Sequence, residues 1–170
     1  MRTIVLVALS YCVVTRLFEL VLSRRNLRAL GSSARVVRSD GMLAIVCVHV
    51  AWFAGIAAEE LALGPRAIPE TIRWSAAFLY VLSEGVRGWC ILALGARWNV
   101  RVVVCPGAER IRGGPYAFLP HPNYAAVVLE LLALPLVHSA WLTAVVYSLA
   151  NAAVLRLRIR AENRALGYVG

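Results

Sequence analysis

The chain has 170 residues, 61% of them hydrophobic, a formal charge of +9 and a mean hydropathy of +0.71. A water-soluble domain of this length is nearer half apolar, so the composition argues against a soluble enzyme and predicts one compact membrane domain over residues 1–170. Every basic residue is arginine, and the arginines collect between apolar stretches, a pattern that sets membrane topology rather than one that tracks a nucleic acid.

Taken in chain order, the hydropathy pattern predicts an all-α integral membrane protein with five transmembrane helices. The first span covers residues 3–22. Arg2 followed by an apolar run has the look of a signal peptide, but Arg16 and Glu19 interrupt its far end and no A-x-A site follows, so the span is read as retained. A basic loop follows, with Arg24, Arg25, Arg28, Arg35 and Arg38 against Asp40. The second span covers 42–63. The next connection is acid-rich, with Glu59, Glu60 and Glu70 against Arg66 and Arg73. The third span covers 74–95. A second basic segment carries Arg97, Arg101, Arg110 and Arg112 against Glu109. The fourth span, 123–137, and the fifth, 140–157, are separated by so few residues that they form a tight antiparallel hairpin. The tail carries Arg158, Arg160 and Arg164 against Glu162. Basic and poor loops alternate, which predicts an N-terminus outside and a C-terminus in the cytoplasm. The all-Arg, Ala- and Val-rich composition points to a GC-rich, bacterial genome, and the expected location is a bacterial inner membrane.

Ionisable groups within spans cost roughly 2.5–3.5 kcal/mol each to insert, so they face protein or water. Arg16/Glu19 and Glu84/Arg87 are each three apart on one helix face. They are either intrahelical ion pairs or the polar wall of a ligand cavity. Glu130 has no arginine at helical spacing, so it requires a partner from another helix or a protonated state, and it is the intramembrane candidate for a substrate-pocket residue. Cys12, Cys47, Cys90 and Cys105 are scattered without a CxxC pair and read as small hydrophobes, with no metal-ligand cluster. Trp74, Trp98 and Trp141 sit near span ends, as interfacial belt residues do. His49 and His138 read as ordinary interfacial histidines.

The chemistry concentrates in Gly113-Gly114-Pro115-Tyr116 and Pro120-His121-Pro122-Asn123-Tyr124. Gly-Gly-Pro stops a helix, and Pro120 and Pro122 hold His121 between rigid neighbours. Asn123 and Tyr124 start the fourth span, whose first amides attract anions. The hairpin returns the fifth span to the same side, so its Arg- and Glu-bearing end comes near His121. Arg158 and Glu162, four apart, either pair with each other or clamp a zwitterion.

These motifs resemble the isoprenylcysteine carboxyl methyltransferase family, most strongly over 97–166, through Gly-Gly-Pro-Tyr, His-Pro-Asn-Tyr, the short hairpin and Arg158-Ile159-Arg160-Ala161-Glu162. Leu94-Gly95-Ala96-Arg97-Trp98-Asn99 and Pro106-Gly107-Ala108-Glu109 look like the bacterial branch, which includes enzymes that O-methylate lipidic alkylpyrones. The resemblance implies a catalytic half over 97–167 that binds S-adenosylmethionine at the cytoplasmic face. It implies cofactor contacts from Ala108, Glu109, Arg110, Ile111, Tyr116, His121, Pro122, Asn123, Tyr124 and Glu162. It implies a substrate-side Arg158; Glu130, singled out above by its position in the fourth span, is the further catalytic candidate. The chain departs from the family pattern at Pro120, where an arginine is usual, and at Asn163, where a second glutamate is usual.

The residues suit that chemistry independently. A carboxylate suits His121 and the amides opening the fourth span, and an ammonium suits Glu162. Attack of an anion on a sulfonium carbon cancels charge, so a dry apolar pocket helps and no metal is needed. The expectation is S-adenosylmethionine-dependent O-methylation of a carboxylate or acidic enol on a lipophilic or prenylated substrate. Two alternatives stand beside it: an NADPH-dependent membrane reductase of the sterol-reductase type, and a non-catalytic membrane protein that keeps the fold.

Overall fold

The computed structural model describes residues 2–38, 40–64 and 68–167; Arg66, counted above in the acid-rich connection, lies outside them. Among the described residues there are five α-helices: α1 (Arg2–Leu30), α2 (Met42–Leu63), α3 (Glu70–Leu94), α4 (Pro122–Val137) and α5 (Trp141–Ala165). Two short strands, β1 (Arg35–Val36) and β2 (Val103–Val104), form an antiparallel pair with Arg35 opposite Val104 and Val36 opposite Val103. Among the described residues, α2, the Glu70–Arg97 stretch and α5 are long and apolar enough to cross a membrane, and α4 is a shorter apolar helix. Large apolar side chains face outward on these helices, including Leu43, Phe78, Leu92 and Leu149, as lipid contact requires.

Helices α1 and α5 run further than hydropathy alone indicates. Arg24, Arg25 and Arg28 belong to α1, and Arg158, Arg160, Glu162 and Arg164 belong to α5 rather than to a tail. The cause is local. Arg, Leu, Ala and Glu are good helix formers, and no breaker occurs before Gly31 (φ 55°) or Gly167 (φ 71°). A helical end to α5 fixes the spacing of Arg158 and Glu162, which matters below.

Helix α4 is the centre of the bundle. It packs against α3 and α5, while α2 packs against α5. The core joins Cys12 of α1, Trp52 and Ile56 of α2, Tyr80 of α3, and Val127, Leu131, Ala133 and Leu134 of α4. In lipid, apolar packing gains little hydrophobic driving force, so close approach and polar ties hold helices together. Both are present. A Cβ on Gly55 would lie 2.8 Å from the Tyr147 ring, so glycine lets α2 touch α5. Trp52 Nε1 donates to the Leu131 carbonyl at 3.1 Å. Glu59 of α2 accepts from the backbone N–H of Leu142 at 3.1 Å and of Thr143 at 2.8 Å, capping α5 from another helix where its dipole favours a carboxylate.

Three residues, 138–140, connect α4 to α5. At the opposite end of the two helices, residues 35–37 pair with residues 102–104. Asp40, 1% exposed, accepts from Met42 N (3.1 Å), Val102 N (3.3 Å) and Arg101 Nε (2.5 Å). Asn26 Nδ2 donates to the Trp98 carbonyl at 2.7 Å. Trp98 is itself buried, 2% exposed, so it is a core residue of this connection and not an interfacial belt residue; Trp74 and Trp141 are exposed as expected.

Candidate functional site

The Gly113–Ala117 region docks on α3 because Gly114 has no side chain. A Cβ there would stand 3.0 Å from that of Ala93 and 3.1 Å from Trp89 Nε1, and the backbone has φ 60°. The turn brings Tyr116 beside Cys90. Burial, with the Cys90 thiol adding to it, pushes the Tyr116 phenol above its ordinary value, so it is a hydrogen-bond donor at neutral pH. The chain then reaches His121, which precedes α4 with φ −134° and ψ 62°; no side chain caps the helix, and Pro122 occupies its first turn.

The start of α4 meets the end of α5. Tyr124 donates its hydroxyl to Glu162 Oε2 at 2.7 Å. His121 Nδ1 stands 3.7 Å from the same oxygen, and its Nε2 is 3.1 Å from Asn163 Oδ1. The His121 and Tyr124 rings stack with centroids 5.5 Å apart. Arg158 lies over the Tyr124 ring at 5.9 Å, close enough for a cation–π contact, and its Nη2 donates to the Val100 carbonyl at 2.7 Å. Arg158 and Glu162 therefore turn toward different partners on one helix face. Gly41 (φ 68°) makes room for Arg158, whose Cγ lies 3.3 Å from where a Cβ would be.

These side chains line the mouth of a cavity of about 330 Å³. Tyr116, His121, Asn123, Tyr124, Arg158 and Glu162 all contribute to its wall. Pro122 is fully buried beneath them. Ala108, Glu109, Arg110 and Ile111 do not contribute to the wall; they lie in the neighbouring connection, where Arg97 donates to the Glu109 carbonyl at 2.6 Å. Two buried polar atoms at the mouth have no hydrogen-bond partner among the described residues, Arg158 Nη1 and Asn123 Oδ1. One is a cationic donor and the other an acceptor, so the mouth can take a ligand that offers both an acceptor and a donor.

Further in, the wall turns apolar with Ile45, Val46, Val50 and Phe53 of α2, Val127 of α4 and Leu155 of α5. It then meets Arg16 and Glu19 of α1 and Arg87 of α3. The two helical pairs expected from spacing both occur, Arg16–Glu19 at 2.8 Å and Arg87–Glu84 at 4.0 Å, and they merge through Glu130. Glu130 is fully buried, paired with Arg87 and 3.7 Å from Arg16. Its partners come from other helices, which spacing along α4 cannot reveal. It lies behind the cavity wall rather than in it. His49 also lines the cavity, with Nδ1 on the Ile45 carbonyl at 2.8 Å, so it is not a lipid-interface residue. The signal that could have found it is its position, mid-helix in an apolar span.

Residues 76–168 match the isoprenylcysteine carboxyl methyltransferase (ICMT) family. The chain is 33% identical over 159 residues to uncharacterized protein YpbQ of Bacillus subtilis (strain 168), across 93% of this chain and 94% of that one. No solved structure is significantly similar to the chain. The family match covers more than half of the chain and takes in the whole mouth of the cavity, from Tyr116 to Glu162. This membrane protein belongs to the isoprenylcysteine carboxyl methyltransferase family.

Proposed function

We propose that the protein transfers a methyl group from S-adenosylmethionine to an oxygen atom of a lipophilic acceptor inside the membrane. All five helices cross the bilayer, with the N-terminus outside and the mouth of the cavity at the cytoplasmic face of a bacterial inner membrane. One observation carries the reading. The two ends of the α4–α5 pair, 34 to 42 residues apart in sequence, bring Tyr124, His121, Arg158, Glu162 and Asn163 together at one cavity whose interior is mostly apolar.

The residues at the mouth fit the cofactor. Its amino-acid head carries a carboxylate and an ammonium, and the mouth offers the His121 imidazole and an uncapped helix start for one, and Glu162 and the unpartnered Asn123 Oδ1 for the other. The sulfonium supplies an activated methyl group. Tyr124 holds Glu162 in place by its hydroxyl, and Val100 holds Arg158 by its carbonyl. Arg158 is left with Nη1 free to hold the acceptor at the mouth. The apolar wall excludes water, which strengthens these contacts and favours a step in which opposite charges cancel. Asn163 keeps a hydrogen-bond partner beside His121 where the family usually has a glutamate. Glu130 acts at one remove, holding Arg87 and Arg16. Residues 108–111 contribute by shaping the connection tied to Arg97. The acceptor is a prenylated cysteine carboxylate or an acidic lipid enol of the alkylpyrone kind.

The test incubates membranes holding the protein with methyl-labelled S-adenosylmethionine and identifies labelled lipids by mass spectrometry. A labelled lipid is expected, lost in Arg158→Ala and in Glu162→Gln. No label, with no cofactor binding by calorimetry in detergent, overturns the proposal.

A further inference from the structure

The inner end of the cavity holds charges that the chemistry at the mouth leaves without a task. Arg16 and Glu19 of α1 and Arg87 of α3 line it, with Glu84 of α3 and Glu130 of α4 completing the cluster. Arg16 stands 2.8 Å from Glu19, 3.3 Å from Glu84 and 3.7 Å from Glu130. Arg87 is 3.6 Å from Glu19 and 4.0 Å from Glu84, and pairs directly with Glu130. Three carboxylates (Glu19, Glu84, Glu130) thus face two guanidiniums (Arg16, Arg87), leaving one negative charge in excess. The other titratable groups facing the cluster are Cys12 of α1, whose thiol donates to Glu130 Oε1 at 3.2 Å, Tyr80 of α3 and His49 of α2.

A second observation points to a ligand. Nε of Arg16 and Nε of Arg87 have no hydrogen-bond partner among the described residues, although Arg87 is only 4% exposed and lines the cavity. A buried guanidinium N–H left without an acceptor is costly unless something fills the place. The same wall therefore presents the Arg87 Nε–H, which has no acceptor within hydrogen-bond distance among the described residues and whose nearest are Glu19 Oε1 at 3.6 Å and Glu84 Oε1 at 4.0 Å, beside the Glu19 carboxylate. A hydroxyl answers both, accepting from one and donating to the other. A carboxylate answers only the first and meets the excess negative charge.

We propose that this wall is a proton-accepting subsite for a neutral hydroxyl acceptor, a lipid phenol or enol, with Glu19 as the base. The proposal rests on the methyl-transfer reading and narrows its acceptor class. The acceptor O–H bond breaks and its proton passes to the Glu19 carboxylate. The oxygen forms its bond to the methyl carbon as the carbon–sulfur bond breaks, and that electron pair stays on sulfur. One sulfonium charge and one excess carboxylate charge are present before the step, and neither remains after it. A site of low dielectric favours a reaction that leaves no buried charge behind. An acceptor ionised beforehand leaves the cluster's excess negative charge in place throughout. The depth is suitable. Glu130 is six residues beyond Tyr124 along α4, about 9 Å at 1.5 Å per residue, so the cluster lies one small molecule's reach below the mouth.

The experiment uses the full chain in lipid nanodiscs with two acceptors of equal chain length, a long-chain phenol and the matching fatty acid. With methyl-labelled S-adenosylmethionine, the phenol yields a methyl ether. Glu19→Gln lowers kcat with the phenol by about 100-fold or more, Glu19→Asp recovers part of it, and cofactor binding by calorimetry is unchanged in both. A readout independent of turnover is the infrared difference spectrum on adding the phenol alone. A carboxylate band shifts in the native protein and not in Glu19→Gln. Native protein whose carboxylate bands do not respond to the phenol overturns the proposal even where the variant fails to fold. So does near-native phenol turnover by Glu19→Gln. Cofactor binding with transfer to the fatty acid alone overturns this inference and leaves methyl transfer standing. Absence of both binding and transfer overturns methyl transfer itself.

Discussion

Replacing Glu130 with glutamine keeps the shape of the side chain and removes its charge. Glu130 is fully buried, pairs with Arg87, stands 3.7 Å from Arg16 and accepts the Cys12 thiol at 3.2 Å. Removing one partner of a buried ion pair costs about 3–5 kcal/mol, because the other is left uncompensated. Two features of the cluster pull this toward the lower end. Glutamine still accepts the Cys12 thiol, and Arg87 retains Glu19 at 3.6 Å and Glu84 at 4.0 Å. The expected loss is about 3 kcal/mol. At about 2–4 °C per kcal/mol for a chain of this size, the apparent Tm falls by about 6–12 °C. Tryptophan fluorescence during thermal unfolding in nanodiscs measures this. Arg87→Gln and the double variant close a cycle, with a coupling energy of at least about 1 kcal/mol expected. Cofactor binding well below the transition is expected to match the native protein. A Tm within about 2 °C of native together with lost methyl transfer refutes the reasoning, since Glu130 would then act on the substrate and not on the scaffold.

Tyr124→Phe removes the hydrogen bond to Glu162 at 2.7 Å, a bond to a charged group worth about 1.5–3 kcal/mol, so the Kd for S-adenosylmethionine rises about 10–100-fold in calorimetry. Gly41→Ala places a Cβ 3.3 Å from Arg158 Cγ at φ 68°; it lowers stability by about 1–2 kcal/mol and raises the acceptor KM more than it weakens cofactor binding. His138, in the turn before α5, is buried with both ring nitrogens unpartnered among the described residues, and burial pushes its pKa down to about 4. Between pH 6.5 and about 4 the unfolded chain binds a proton there that the folded chain does not, so stability is intact above pH 6.5 and falls as pH drops through that window, by about 3 kcal/mol in full. In His138→Leu that part of the pH dependence disappears from the thermal unfolding curve, and a pH profile identical to native refutes it.

What was legible in the sequence were properties carried by neighbours along the chain. The apolar runs marked the helices, the Gly-Gly-Pro and Pro-His-Pro punctuation marked the turn opening α4, and the three-residue link implied that the ends of α4 and α5 meet. The pairs Arg16–Glu19 and Arg87–Glu84 were legible too, because helical spacing fixes them. Contacts fixed only by tertiary packing were not. Nothing local to Glu130 indicates that Arg87 and Arg16 converge on it, nor to Glu59 that it caps a helix 83 residues away. Trp98 looked interfacial because it stands at a span end, yet Asn26 holds its carbonyl and its side chain is buried. The tail was read as a tail because arginines lower hydropathy, although they are good helix formers and α5 continues through them.

The division of the cavity between two parts of the chain follows from this architecture. The family match begins at residue 76, inside α3, and holds Tyr116, His121, Tyr124, Arg158 and Glu162. The opposite wall comes from before it: Arg16 and Glu19 of α1, and Met42, His49 and Phe53 of α2. On the methyl-transfer reading, the groups suited to S-adenosylmethionine sit on α4 and α5, braced against each other within hydrogen-bonding distance, while the groups suited to choosing an acceptor sit on α1 and α2, tied to the 95–104 connection through Asp40, Asn26 and Ser23. A donor site must be the same in every turnover and gains from being built within one hairpin. An acceptor wall sets which lipid reacts, and placing it on separate helices lets its polarity change without disturbing the donor site. The charged cluster is where the two parts join, since Glu130 of α4 and Arg87 of α3 hold Arg16 and Glu19 of α1. Charge removed there is therefore felt by both sides of the cavity, whereas an apolar exchange at Phe53 or Val50 alters the acceptor wall alone.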